Sequence, residues 1–163
     1  RKGEIPDSDA PLETGTEIKM HLPALIPDDY LPNISARLVL YKRIAQAQDK
    51  EALTDIQVEM IDRFGLLPDA TKQLFIQAEV RLRAQAIGIS EVDVGVSGGS
   101  VKFESTTPVP VNALIGLLQS NPKEFKLAGS DTLRFIRELG SGEARRDYID
   151  TLMTQWEKAC KSS

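Results

Sequence analysis

The chain has 163 residues, 41% of them hydrophobic and 27% charged, which provides apolar side chains for one sizeable core and excludes a chain disordered throughout. A net charge of −4 gives no basic footprint of the kind that neutralises phosphates, so strong direct nucleic-acid binding is not expected and a basic protein partner fits better. The single cysteine, Cys160, excludes an internal disulfide and suits a reducing cytoplasm, and no apolar run reaches membrane-spanning length.

Residues 1–15 hold two prolines, several acids and almost no periodicity, which predicts a linker; the absence of an initiator Met predicts that it joins this chain to something longer. Residues 16–163 read as a single folded domain. Ile18, Met20 and Leu22 alternate with polar residues and predict a strand over 16–22, which includes His21. After Pro23 and Pro27 a helix is expected from a cap at Asn33 or Ser35 through Ala47. Its inward stripe is read as Ile34, Leu38, Tyr41 and Ile44 or Ala45, with Arg37, Lys42 and Arg43 outward.

The stretch Lys50–Ile87 is the one around which the rest is organised. Leu53, Ile56, Met60 and Phe64 recur at helical spacing, Gly65 caps that helix, and Pro68 opens the next at its first turn. The second helix carries two apolar stripes, Leu74, Ala78 and Leu82 against Ile76, Val80, Ala84 and Ile87, so it is expected to be covered on two sides, with Gly88 as its stop.

Beyond Gly88 the period switches to two. Val92, Val94, Val101 and Phe103 flank a Gly-rich turn centred on Gly98-Gly99 and predict a hairpin. Pro110 starts a short helix with Leu114, Ile115, Leu117 and Leu118 inside. A second hairpin pairs Phe125 and Leu127 with Leu133 and Phe135 across Gly129-Ser130-Asp131, and a last helix capped near Ser141 buries Tyr148, Leu152 and Trp156. The expected fold is α+β, three N-terminal helices packed beside a mainly antiparallel sheet of two hairpins, each hairpin followed by a helix. Phe64, Leu74, Leu82, Phe103, Phe135 and Trp156 are expected in the core.

The residues supply no catalytic constellation, so no enzymatic activity, cofactor or metal is expected. His21 is the one histidine and, with one cysteine, builds no usual zinc site; Cys160 sits in a Lys-rich tail; the Gly95–Ser100 stretch lacks the Gly-Lys-Ser/Thr of a phosphate loop. The unusual feature is a charge pattern. Glu51, Asp55, Glu59 and Asp62 line one helical face at spacings of four, four and three, where like charges destabilise a helix by roughly 0.2–0.5 kcal/mol per pair, with only Lys50 and Arg63 as compensation. Local helix stability does not explain it. A solvated face and a docking edge for a basic surface both fit.

The strings Leu25-Ile26-Pro27-Asp28-Asp29-Tyr30, Arg37-Leu38-Val39-Leu40-Tyr41-Lys42-Arg43 and Asp62-Arg63-Phe64-Gly65-Leu66-Leu67-Pro68 resemble the C-terminal domain of the bacterial transcription-repair coupling factor family, Mfd. The resemblance runs in order from about Glu17. It implies a non-catalytic, regulatory domain behind a helicase motor. Such a domain docks on the UvrB-like N-terminal module of the same polypeptide and hides the surface that UvrA must bind, and it meets RNA polymerase only through the full-length protein. Together with the acidic stripe it points to Glu59 and Asp62 as partner-binding residues, with Asp55 of the same stripe and Arg63, which belongs either to that edge or to the favourable charge at the helix C-terminus; the isolated domain is expected to be a monomer. The alternative is a nucleic-acid-contacting accessory domain of a helicase or translocase, resting on Arg37, Lys42, Arg43, Arg81, Arg83, Arg145 and Arg146.

Overall fold

The computed structural model describes residues 15–162, so nearly all of the expected linker lies outside it. The described chain is α+β, with five helices and one five-stranded sheet. It divides into two compact units: a helical one, Leu22–Leu82, and a sheet unit made of Thr16–His21 and the chain from Arg83 onward.

The helical unit holds α1 (Ile34–Gln46), α2 (Lys50–Phe64) and most of α3 (Asp69–Ala86). Asn33 caps α1 and Asp49 caps α2, each side chain accepting from a backbone N–H three residues on at 2.8 Å. Gly65, at φ 99°, ends α2 in a conformation that a Cβ would oppose, and its N–H returns to the Ile61 carbonyl. Pro68 stands just before α3, where its carbonyl accepts from Thr71 and Lys72. The core joins Leu40, Ile44, Leu53, Ile56, Met60, Phe75 and Ala78, with Phe64, Leu74 and Leu82 packed partly buried against it.

One stripe is phased differently from the sequence expectation. Ile34 and Leu38 are exposed, and α1 turns Leu40 and Ile44 inward, with Tyr41 and Arg37 half-buried. The reason lies outside the helix: the Tyr41 hydroxyl accepts from the Ile26 N–H at 2.7 Å, and Arg37 donates to the Leu31 and Pro32 carbonyls, which fixes the rotation of α1 against the preceding loop.

The sheet unit contains β1 (Glu17–Lys19), β2 (Ile89–Val94), β3 (Gly98–Phe103), α4 (Val111–Ser120), β4 (Phe125–Ala128), β5 (Thr132–Ile136) and α5 (Gly142–Ser162). Strand order is β1-β2-β3-β5-β4, with β1 parallel to β2 and the other pairs antiparallel. Val92, Val94, Val101, Phe103, Leu133 and Phe135 form the buried face, completed by Ile149, Leu152, Met153 and Trp156 of α5. Phe103 meets Trp156 edge-on at 5.2 Å, and Phe135 meets Tyr148 at 5.0 Å. Tyr148 is half-buried rather than buried, because its hydroxyl reaches out to donate to Glu124 at 2.6 Å. Ser141 caps α5 as expected.

Three further expectations are corrected. β1 stops at Lys19, and His21 lies outside it at φ 57°, with Nε2 2.8 Å from Asp93. Gly98 and Gly99 belong to β3 rather than to the turn, which is closed by the Gly95 N–H on the Gly98 carbonyl. A Cβ at Gly98 would lie 2.2 Å from the Phe135 carbonyl oxygen, and one at Gly99 1.8 Å from that of Asp93, so the glycines serve close strand approach. Finally, no residue of α4 is buried: Leu114, Leu117 and Leu118 are half-buried and Ile115 is exposed.

Arg145 is buried, with no carboxylate partner among the described residues. Its Nε donates to the Leu139 carbonyl at 2.9 Å, and one terminal nitrogen donates to the carbonyls of Met20 at 2.8 Å and His21 at 3.3 Å. One guanidinium thus ties the end of β1, the segment before α5 and α5 itself together.

Candidate docking surface

The outer face of α2 follows from its inner one: with Leu53, Ile56 and Met60 committed to the core, helical geometry turns Asp55, Val58, Ile61 and Asp62 away from it. Asp55 and Asp62 are exposed and have no ion pair among the described residues. Glu59 differs. Arg43 of α1 donates to both of its carboxylate oxygens at 3.0 Å, and Arg63 approaches to 3.5 Å. The Arg43 hydrogen bonds and charge, with Arg63 behind them, hold the Glu59 carboxyl below its ordinary pKa. Arg63 also lies 4.9 Å over the Phe64 ring. Lys50 takes no part in the stripe, since it pairs with Glu79 at 3.5 Å.

The expected site residues therefore divide. Glu59 is joined to both Arg43 and Arg63, whereas Asp55 and Asp62 have no ion pair among the described residues. Around them sequence reasoning missed an apolar component: Val58 is 55% exposed, Ile61 40%, and Leu66, at the corner after Gly65, 85%. The signal was present, because Val58 and Ile61 fall outside the Leu53, Ile56, Met60, Phe64 stripe. Uncompensated acids set among exposed aliphatic side chains can offer both charge and desolvation energy to a partner.

The cations of the nucleic-acid alternative are largely engaged elsewhere. Arg37 and Arg43 are bonded as described, and Arg145 is buried. Arg83 makes a bidentate pair with Glu157 at 2.9 Å and reaches Asp150 at 2.6 Å, contacts that raise its pKa further. Arg81 is half-buried, and Lys42 and Arg146 are exposed. Among the described residues no group of three His, Cys, Asp or Glu could hold a metal, and no helix is long and apolar enough to cross a membrane.

The surface is held in place by contacts among widely separated segments. The Tyr30 hydroxyl donates to the Gly65 carbonyl at 2.8 Å, its ring packs edge-on to Phe64 at 5.9 Å, and Ile26 is hydrogen-bonded to Tyr41. Segments 25–30, 37–43 and 62–68 are thereby one connected structure. A model of the TRCF domain family matches residues 20–114, and the transcription-repair-coupling factor of Escherichia coli K12 is 39% identical over 143 residues, 88% of this chain. The chain belongs to the transcription-repair-coupling factor family. The Haemophilus influenzae member is 35% identical over 153 residues, 94% of this chain. The chain spans only 12% and 13% of these two relatives, and so corresponds to one part of such a factor. A crystal structure described as the C-terminal domain of transcription-repair coupling factor shares the fold, with a TM-score of 0.76 at 19% identity, covering 91% of this chain and 96% of that one.

Proposed function

We propose that this chain is a non-catalytic, autoinhibitory docking domain of a transcription-repair-coupling factor. In this reading it packs on the UvrB-like N-terminal module of its own polypeptide and masks the surface that UvrA binds. UvrA and RNA polymerase are then met through the full-length protein in the cytoplasm. The observation that carries the reading is Asp62, exposed and with no ion pair among the described residues, beside exposed Val58 and Ile61. Asp55 extends the same edge, and Glu59 and Arg63 border it. A partner with complementary positive charge gains both a salt-sensitive attraction and apolar contact there. Tethering supplies an effective concentration of order millimolar, so a weak intrinsic affinity suffices to keep the mask closed.

The test is calorimetric titration of this chain into the purified UvrB-like module at low and physiological ionic strength, with UvrA capture by the full-length factor as the second readout. Wild type is expected to bind weakly and salt-sensitively. Asp62→Arg is expected to abolish binding and to raise UvrA capture. Unchanged binding and capture in that variant would reduce the acidic edge to solvated surface.

A further inference from the structure

The opposite polarity occurs on the outer face of the sheet, where nothing in the family reading places a function. Strand register sets Lys126 directly opposite Arg134, and Arg134 opposite Ser100. Like charges directly opposite on neighbouring strands are destabilising. Neither cation has an ion pair among the described residues, and both are exposed. A single lysine on an edge strand is explained by its blunting of edge-to-edge pairing. That explanation covers Lys126 on β4 but not Arg134 on the interior strand β5. The two side chains stand over a concavity of about 800 Å³ whose floor is kept low by Ser100 and Gly98, and Ile136, 65% exposed, gives it an apolar margin.

We propose that this concavity binds an extended acidic segment of a protein partner, with carboxylates on Lys126 and Arg134 and an apolar side chain on Ile136. Three observations favour a peptide over a nucleic-acid strand. The cationic group is small, with exposed Lys102 two residues from Ser100 as its third member, and it ends at Asp93, which stands across Ser100 from Arg134 and would repel a longer polyanion crossing the face. Residues i and i+2 of an extended chain lie roughly 6.6 Å apart on one side, close to the roughly 5 Å between opposed side chains on neighbouring strands. An exposed isoleucine next to the cations suits alternation of acidic and apolar residues and contributes nothing to a phosphate backbone.

The experiment uses this whole chain, isotope-labelled, and a short synthetic peptide alternating glutamate with leucine between Gly-Ser ends. Its controls are the lysine-for-glutamate peptide and a single-stranded oligonucleotide. Glutamate peptide is expected to shift the amide resonances of Ser100, Lys126, Arg134 and Ile136. The Lys126→Ser/Arg134→Ser variant should weaken it by about tenfold or more, as loss of close charge pairs does. The lysine peptide should not bind. Because both side chains are exposed the variant should fold, which thermal unfolding verifies, and Arg134→Ser alone gives a second, smaller change for comparison. Absence of shifts, shifts confined to another face, unchanged affinity in the double variant, or tighter binding of the oligonucleotide would each overturn the proposal. The acidic edge of α2 is untouched by these substitutions, so this result and the Asp62 result are independent.

Discussion

Arg43 grips Glu59 through two parallel hydrogen bonds of 3.0 Å, one guanidinium nitrogen to each carboxylate oxygen, and so joins α1 to the outer side of α2. The bond lowers the Glu59 pKa in the folded chain from an ordinary value of 4.5. A carboxyl with a depressed folded-state pKa stabilises the fold above its unfolded value, and that contribution is lost as pH falls through the folded value. The difference in melting temperature between wild type and Arg43→Met should therefore be present at neutral pH and shrink below about pH 4.5. It should be small throughout, because the pair is exposed. Circular dichroism melts across that range are the measurement.

The same contact separates two neighbouring acids. Glu59→Arg places a third cation beside Arg43 and Arg63 and should lower the melting temperature, whereas Asp62→Arg relieves like-charge crowding and should leave it unchanged or slightly raised. Equal effects of the two reversals on thermal unfolding would contradict the pairing seen here.

Tyr30→Phe should cost about 1 kcal/mol in urea unfolding, the net worth of one hydrogen bond, with the Gly65 carbonyl left to water. The exchange rates of amides around the 65–68 corner should rise with it, since Tyr30 is what secures that corner from across the unit.

Two glycines predict opposite signs. Gly99→Ala forces a Cβ to within 1.8 Å of the Asp93 carbonyl oxygen and should prevent β2 and β3 from pairing in register. Gly116 sits inside α4 with nothing within 4 Å of where its Cβ would be, so Gly116→Ala should stabilise by about 0.5–1 kcal/mol. Chemical denaturation of both variants decides the matter.

Arg145→Met keeps the side-chain length and removes the donors. Three buried or half-buried carbonyls then lose a partner, and the expected cost is about 2–4 kcal/mol. Hydrogen exchange should show residues 16–21 losing protection before the β3-β5 pair does.

What the sequence disclosed depended on the range of the interaction. The α2 stripe and both hairpins are set by neighbours within a few residues, and their periods were readable. In α1, Ile34 through Tyr41 is apolar at too many positions to choose a phase, and the choice was made by Tyr41 bonding a loop fifteen residues away. The parallel pairing of Glu17 with Glu91 left no local mark, nor did the guanidinium of Arg43 crossing to Glu59. For the docking edge, Asp55 and Asp62 were legible as charges without local purpose, whereas compensation of Glu59 needed the neighbouring helix. The glycine pair was misplaced because a glycine that permits a turn and one that permits close strand approach look alike in sequence.

The chain enters the sheet unit at Thr16, leaves it at His21 and returns only at Arg83, so the helical unit is an insertion between two adjacent strands. During synthesis β1 is made first and must wait until residue 93 has emerged before its last partner exists. Closing a loop of that length costs entropy that grows with its logarithm. A helical unit that has already condensed holds the two junctions within a bounded distance and removes much of that cost. Its helices form by contacts within a few residues, which favours rapid formation. The expected order of assembly is helical insert first and parallel strand last, and in stopped-flow refolding a destabilised insert should delay completion of a sheet it is not part of.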